Sequence, residues 1–380
     1  MPIKSINSAI SEIEVGRTAS VPRQLARQVR EMIRSGKLEE GGKLPSNQRL
    51  SEMWQVGRAS VQAAMASLVK EGLVRRAPKL GTFVARRTQS MTRVGIYVTE
   101  NIWQKPYAAY RRALVGTLGD LLREKNLDAD IWIDPRPRQD QARPWDELLR
   151  AIDQQRVHAV LLPDFTVRAL PWIRRLQVPW VVFCPAIIPT NYVSFELGAG
   201  AQLAIKDLIR QGCRSAGMIG PMTTNSRSHN PSERQYANGI KSFNQCAAAA
   251  GLEVRNQWIQ HSISKMVDEA DSERFGYHGM KRLLAMSDRP QGVFVTHDWV
   301  ARGAITAVLE SKVKVPDDMK LVLHRNIEVG LLCPLKVSFL DFSVTAAATA
   351  MLRIIDAQVN GEDYKPVKLT PHISSAIKGA

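Results

Sequence analysis

Two kinds of hydrophobic spacing divide this chain of 380 residues. Up to residue 84, apolar positions recur every three or four residues in short stretches, which is helical spacing. Residues 21–35 carry Leu25, Val29, Met32 and Ile33 on one stripe and stop at Ser35-Gly36. After Ser46, a favourable N-cap, the stripe resumes with Leu50, Met53 and Trp54. Gln55-Val56-Gly57 reads as a turn, and residues 58–70 then bring Val61, Ala64, Met65, Leu68 and Val69 to one face. Glu71-Gly72 ends that helix, since glycine suits the left-handed cap. Residues 73–76 and 82–84 read as two strands around a tip at 78–81. Residues 1–20 are polar and irregular and are expected to be a flexible lead, and residues 85–92 (ARRTQSMT) a linker.

From Arg93 the spacing changes. Residues 94–98 form a continuous apolar run, as in a strand buried on both faces. Strands predicted at 129–133, 158–162 and 180–183 alternate with helices at 107–125, 145–155 and 172–176. The alternation then repeats. Helices are expected at 197–211, 234–250, 272–286, 298–310 and 345–359, with strands at 215–219, 257–261, 292–296, 320–323 and 367–372. Such alternation implies parallel sheets flanked by helices. Two halves of similar size imply two lobes, divided as 93–193 plus 343–360 and as 194–340 plus the C-terminal strand. Ligands of such sheets sit at the carboxyl ends of strands.

In the first region, helix, turn, helix and basic hairpin together describe a winged helix-turn-helix over residues 21–84. The outward face of its second helix, Arg58-Ala59-Ser60 with Gln62-Ala63, is short enough to lie against base edges in a major groove. Arg58, Ser60 and Gln62 are the base-facing candidates. Ser46, Gln48, Arg49, Arg75, Arg76, Lys79, Gly81 and Thr82 are the candidates for phosphate or minor-groove contact. A winged helix that binds protein instead of DNA is the competing reading, and charge argues against it. Residues 1–92 hold 16 Lys and Arg against 7 Asp and Glu, an excess of 9; the other 288 residues hold 36 against 29, an excess of 7. The head is the more densely cationic part, as a polyanionic partner requires.

This head resembles the DNA-binding domain of the GntR family of bacterial transcription regulators. The likeness rests on Ile33, Gly36, Lys43-Leu44-Pro45-Ser46, Leu50, Val56, Arg58, Val61, Ala64, Leu68, Glu71-Gly72-Leu73-Val74 and Gly81-Thr82-Phe83-Val84. The chain departs from the family's usual residues at Asn47, Gln48, Gly57 and Gln62. Arginine, common in the family at Gln62, pairs with guanine, whereas glutamine pairs with adenine, so an operator unlike the common one is expected. The second region resembles the effector domain of LacI-type repressors, a relative of periplasmic sugar-binding proteins. Val94-Gly95-Ile96, Gly239 with Phe243, Gly292 through Asp298, Val315-Pro316-Asp317 and Pro334-Leu335 carry that likeness. The combination is similar to that of arabinose-repressor-like proteins. It implies a homodimer on an inverted-repeat operator and a small-molecule effector, sugar or sugar phosphate, held between lobes.

Candidates for the effector site follow. Asp298 follows a buried strand and opens a helix, so ligand contact and an N-cap role are both compatible with it. In the LacI-type pattern it contacts ligand hydroxyls. Arg234 and Tyr236 precede Gly239, where relatives place an arginine three residues before that glycine. Trp103, Tyr107, Phe165 and Trp299 follow predicted strands, where rings stack on ligands or pack in the core. His324 and Arg325 follow another strand and suit an anionic ligand; an exposed turn is the alternative.

Composition narrows the rest. The formal charge of +16 and pI near 9.9 suit nucleic acid or another anionic surface. No run of 18 apolar residues exists to span a membrane, and residues 1–16 lack the apolar core of a secretory signal, so a cytoplasmic location is expected. Cys184, Cys213, Cys246 and Cys333 lie far apart, as reduced thiols do. No nucleophile elbow, P-loop or histidine–cysteine metal spacing occurs, so neither an enzyme nor a cofactor is expected.

Overall fold

The computed structural model describes residues 10, 20–39, 41–71, 73–77, 81–84, 91–104, 109–164, 167–184, 190–220, 231–261 and 269–375, without the side chains of 34, 70, 77, 167, 197, 231–238 and 269. It comprises two compact units: Met1–Met91 with Asp356–Tyr364, and Thr92–Ile355 with Lys365–Ala380.

In the first unit, α1 (Val21–Arg34), α2 (Asn47–Met53) and α3 (Arg58–Lys70) pack on a three-stranded antiparallel sheet. Its strands are β1 (Lys43–Leu44), β2 (Val74–Ala77) and β3 (Gly81–Val84), in the order β1-β3-β2. The predicted stripes make the core: Leu25, Val29 and Ile33 of α1 meet Leu50 and Trp54 around α2 and Val61, Met65 and Leu68 of α3. Val69, expected on that stripe, is 37% exposed, one step round the helix from Leu68. Ser46 Oγ accepts the Arg49 amide at 3.3 Å and caps α2. The Arg30 guanidinium clamps both Glu71 carboxylate oxygens at 2.7 Å, tying α1 to the end of α3. Ile10 falls within the stretch expected to be a loose lead. It is nonetheless buried in this core, and its carbonyl accepts the Trp54 indole N–H at 2.8 Å.

The second unit holds two six-stranded sheets. The first contains β4 (Arg93–Val98), β5 (Asp128–Ile133), β6 (Ala159–Leu162), β7 (Trp180–Phe183), β8 (Tyr192–Phe195) and β14 (Val367–Leu369). All are parallel, in the order β14-β8-β7-β6-β4-β5. The second contains β9 (Ala216–Gly220), β10 (Ile259–His261), β11 (Gly292–Val295), β12 (Lys320–Asn326), β13 (Ser338–Phe342) and β15 (His372–Ser375). Its order is β10-β9-β11-β12-β13-β15, with only β15 antiparallel to its neighbour. The helices are α4 (Ala109–Glu124), α5 (Asp146–Asp153), α6 (Leu170–Ile173), α7 (Leu197–Arg210), α8 (Pro231–Ala249), α9 (Glu269–Ala285), α10 (Asp298–Leu309) and α11 (Val344–Asn360), the last of which is counted with this unit only as far as Ile355.

Strand alternation sorts the second sheet's side chains to two cores. Val293, Val295, Leu321 and Leu323 meet Met280 of α9 and Val300 to Val308 of α10. Phe294, Val322 and Leu340 meet Ala204 and Leu208 of α7 and Phe243 of α8 on the other face. Helices therefore cover both faces, as a parallel sheet requires. Helices α9 and α10 touch backbone to backbone at two glycines. A Cβ on Gly303 would run into the Glu273 carbonyl, and one on Gly276 into the Val300 carbonyl.

Strands β8 and β13 were not among those predicted, because Ser194, Ser338 and Asp341 interrupt their apolar runs. All three polar residues are nonetheless buried. The predicted C-terminal strand is two strands divided at Thr370-Pro371. Of these, β14 joins the first sheet, not the second lobe to which the C-terminal strand was expected to belong. The chain thus passes between sheets three times: after β8, after β13 and after β14.

Candidate nucleic-acid interface and ligand cleft

The outward face of α3 is uncovered within its unit: Arg58, Ala59, Gln62 and Ala63 are exposed and Ser60 is half-buried. Gly57 supplies the N-cap in extended conformation, leaving the first α3 amides without a side-chain acceptor. Arg58 therefore stands at the helix end that favours an anion. Gln48 is exposed on α2 and donates to Glu52 at 3.3 Å, and Arg49 is exposed beside it. On the hairpin, Arg75 and Arg76 are exposed, with the Arg75 guanidinium 5.6 Å above the Phe83 ring. Thr82 pairs with Arg76 across the two strands. Gly81 closes the tip at φ +120, a backbone conformation that a side chain would strain. Lys79 lies outside the described residues. Of the candidate residues, Ser46 has its hydroxyl engaged as the α2 cap.

In the second unit a cavity of about 460 Å³ opens where strands of both sheets end. That is the size and place of a small-molecule site in parallel α/β folds. Its wall is a run of rings. His297 lies 6.0 Å from His324 at 20°, and His324 is stacked on Phe342 at 4.2 Å and 17°. Phe342 meets Phe195 edge-on at 4.8 Å, Phe195 meets Phe183 at 5.3 Å, and Phe183 meets Tyr110 at 5.4 Å. Phe195 and Phe342 end β8 and β13, immediately before two of the three crossovers, so the ladder spans both sheets at their junction. Trp299 adds another ring, held from behind by the Arg302 guanidinium at 4.6 Å.

The charged groups of the wall are largely committed to one another. Arg111 donates to Glu100 at 2.9 Å and to Asp164 at 2.6 Å, and Thr99 donates to the same Asp164 oxygen at 2.6 Å. Burial raises the Glu100 pKa, but the Arg111 and Arg138 guanidiniums outweigh it and hold the carboxyl below its usual range. Asp298 is buried, accepts from Asn326 Nδ2 at 2.8 Å and from the Trp299 amide at 2.9 Å, and lies 3.1 Å from His297 Nδ1. Burial pushes its pKa up, and the neighbouring imidazoles and these hydrogen bonds bring it below the ordinary value. His324 moves the other way: burial lowers it to about 4, against the pull of Asp298. Two buried polar atoms of the wall have no hydrogen-bond partner: the Tyr110 hydroxyl and the Thr296 hydroxyl. Each costs about 1–3 kcal/mol in that condition, which a ligand or a shift of the wall would relieve.

Of the residues proposed from sequence, the structure brings Asp298, Trp299 and His324 together in this cavity. Arg325 is not with them. Strand alternation turns it to the opposite face of β12, where it grips Asp341 at 2.7 and 2.8 Å. Trp103 is 49% exposed in a turn and does not line the cavity. Tyr107 and Phe165 lie outside the described residues. Arg234 and Tyr236 lie on α8 ahead of Gly239, which lines the cavity, but their side chains are outside the description. Sequence reasoning missed Tyr110, Phe183, Phe195 and Phe342. Phe183 ended a predicted strand and was within reach of the rule that strand ends bind ligands. Phe195 and Phe342 sit on β8 and β13, which the sequence pattern does not predict.

Among the described residues, no cluster of three or more His, Cys, Asp or Glu is placed to hold a metal, and no helix is long and apolar enough to cross a membrane.

Comparison with known proteins agrees with the geometry of both units. Residues 22–84 match the gntR family of bacterial regulatory proteins, and residues 205–377 match the periplasmic binding protein-like domain. The chain is 26% identical over 185 residues to the HTH-type transcriptional repressor PurR of Mannheimia succiniciproducens, covering 49% of this chain and 50% of that one. It thus spans about half the length of the curated relatives it matches. Among solved structures, a regulatory protein of the LacI family from Chloroflexus aggregans superposes with a TM-score of 0.58 at 17% identity, over 76% of this chain and 98% of that one. The transcriptional regulator CelR in complex with cellobiose does so at 0.55 and 18%, over 88% and 99%. At these identities the structures establish only the mixed α/β, periplasmic-binding-protein-like fold of the second unit; the winged helix-turn-helix of the first rests on its own helices and hairpin and on the gntR family match.

Proposed function

We propose that this chain, a GntR-type head joined to a periplasmic-binding-protein-like domain, is a ligand-responsive transcriptional repressor. The carrying observation is the pairing of two features in one chain. One is a helix, α3, whose exposed face bears Arg58 and Gln62. The other is a cavity of about 460 Å³ at the strand ends of a separate unit. Arg58, Ser60 and Gln62 read bases; Gln48, Arg49, Arg75, Arg76, Lys79, Gly81 and Thr82 hold the backbone or the minor groove. A homodimer sets two heads on an inverted repeat of duplex DNA in the cytoplasm, and half-site spacing follows from the dimer. A small molecule in the cavity favours one arrangement of the two sheets, and residues 85–92 carry the change to the heads. The effect on DNA binding is bounded by the ligand's difference in affinity for the two states. The sugar or sugar phosphate expected from sequence is one class of effector; the wall favours another, argued below.

Selection of bound sequences from a random duplex pool by the full chain tests the regulator reading. Enrichment of an inverted repeat, lost when Arg58 and Gln62 are both changed to Ala, is the expected result. A pool that stays random after repeated rounds contradicts it.

A further inference from the structure

We propose that the cleft selects a flat aromatic molecule without an anionic group, and not a sugar or a sugar phosphate. The inference rests on the sensor reading above and sharpens it. Its first support is the ring ladder from His297 through His324, Phe342, Phe195 and Phe183 to Tyr110, with Trp299 beside it. Such a wall offers π faces and edges, which another ring matches by stacking or edge contact.

The second support is the state of the polar groups. A pyranose carries hydroxyls around its whole rim and needs a partner for each. Among the described residues the charged partners are engaged already: Arg111 with Glu100 and Asp164, and Asp298 with Asn326 and the Trp299 amide. What remains unpartnered is the Tyr110 hydroxyl and the Thr296 hydroxyl, while His297 Nδ1 lies 3.1 Å from Asp298. Two such atoms suit a ring with one or two polar edge positions. The third support is charge. The described wall carries Asp164 and Asp298 against Arg111, and the Arg325 that might have received an anion is bound to Asp341 on the other side of the sheet. His324, stacked between His297 and Phe342 and with its pKa lowered by burial to about 4, brings no positive charge to the wall at neutral pH.

The test is calorimetric titration of the full chain with benzamide, benzoate, indole, glucose, ribose and glucose 6-phosphate, paired with thermal unfolding. Benzamide and benzoate share a ring and differ in charge. Benzamide or indole should bind, benzoate should bind about tenfold more weakly than benzamide, and the three sugars should not register. Trp299→Ala should weaken the ring compounds about tenfold while leaving the ligand-free unfolding temperature in place. Should Trp299→Ala unfold, Tyr110→Phe keeps the ring ladder and should weaken benzamide more than indole. If any sugar binds more tightly than the rings, or benzoate equals benzamide, the class is overturned while a ligand sensor survives. If no probe binds, the class is overturned as well. The regulator reading is then judged separately by the duplex selection, which needs no effector.

Discussion

His324 is packed between the imidazole of His297 and the ring of Phe342, and its ring nitrogen Nε2 lies 3.4 Å from the Asn326 side-chain oxygen. Burial therefore disfavours its charged form and lowers its pKa from 6.5 to about 4. As pH falls through this interval, the unfolded chain takes up a proton that the folded chain refuses, so stability declines. Asp298 adds to the trend lower down, since its depressed carboxyl stabilises the fold above the usual carboxylate pKa and loses that contribution as pH falls further. Thermal unfolding of the full chain is expected to weaken from pH 6.5 to 4, and His324→Leu to flatten part of that slope. An identical slope in the variant would show that His324 is not the cause. At the other unit, Gln62 is exposed on α3 in a place where GntR relatives often have arginine. Gln62→Arg should move base preference at one half-site position from adenine towards guanine, by about 1–3 kcal/mol. Binding-site selection with the variant reads this directly, and an unchanged motif would remove Gln62 from base readout.

At the scale of elements, the α9–α10 contact depends on two hydrogens. With Gly303 against the Glu273 carbonyl and Gly276 against that of Val300, the helices cannot keep their separation if either gains a methyl group. Gly303→Ala should destabilise the second unit by about 1–3 kcal/mol, seen as a lowered denaturant midpoint; a midpoint equal to the native one would mean the helices are not in backbone contact. This contact was invisible in the sequence, because Gly276 and Gly303 look like ordinary small residues until two helices are brought together. The helices of the head, by contrast, were legible: Leu25, Val29 and Ile33, or Val61, Met65 and Leu68, leave no other face to bury. Strands β8 and β13 were not legible, because Asp341 and Ser338 look like solvent-facing residues. Only long-range partners, Arg325 and Ser374 for Asp341, make them suitable for burial. The cavity was half legible for the same reason. Asp298, Trp299 and His324 follow strands that periodicity reveals, whereas Phe195 and Phe342 belong to strands that it does not.

For the whole molecule, charge and chain order do what no single residue can. The positive excess is densest in residues 1–92, at 16 basic against 7 acidic, so association with duplex DNA must release counterions and weaken as salt rises. Effector control requires in addition that the cavity differ between two states of the second unit, and Phe195 and Phe342, beside two of the three crossovers, line that cavity. Control of transcription depends first on the proposed entry of α3 into a groove of DNA. That entry is tested most directly by the affinity of the full chain and of Arg58→Ala for a selected operator duplex, measured by fluorescence anisotropy across a salt series. Log affinity should fall linearly with log salt, by about 0.9 for each phosphate neutralised, and Arg58→Ala should be weaker at low salt with a slope shallower by about 1. Equal affinity and equal slope for the two proteins, or no binding by the native chain at low salt, would contradict it.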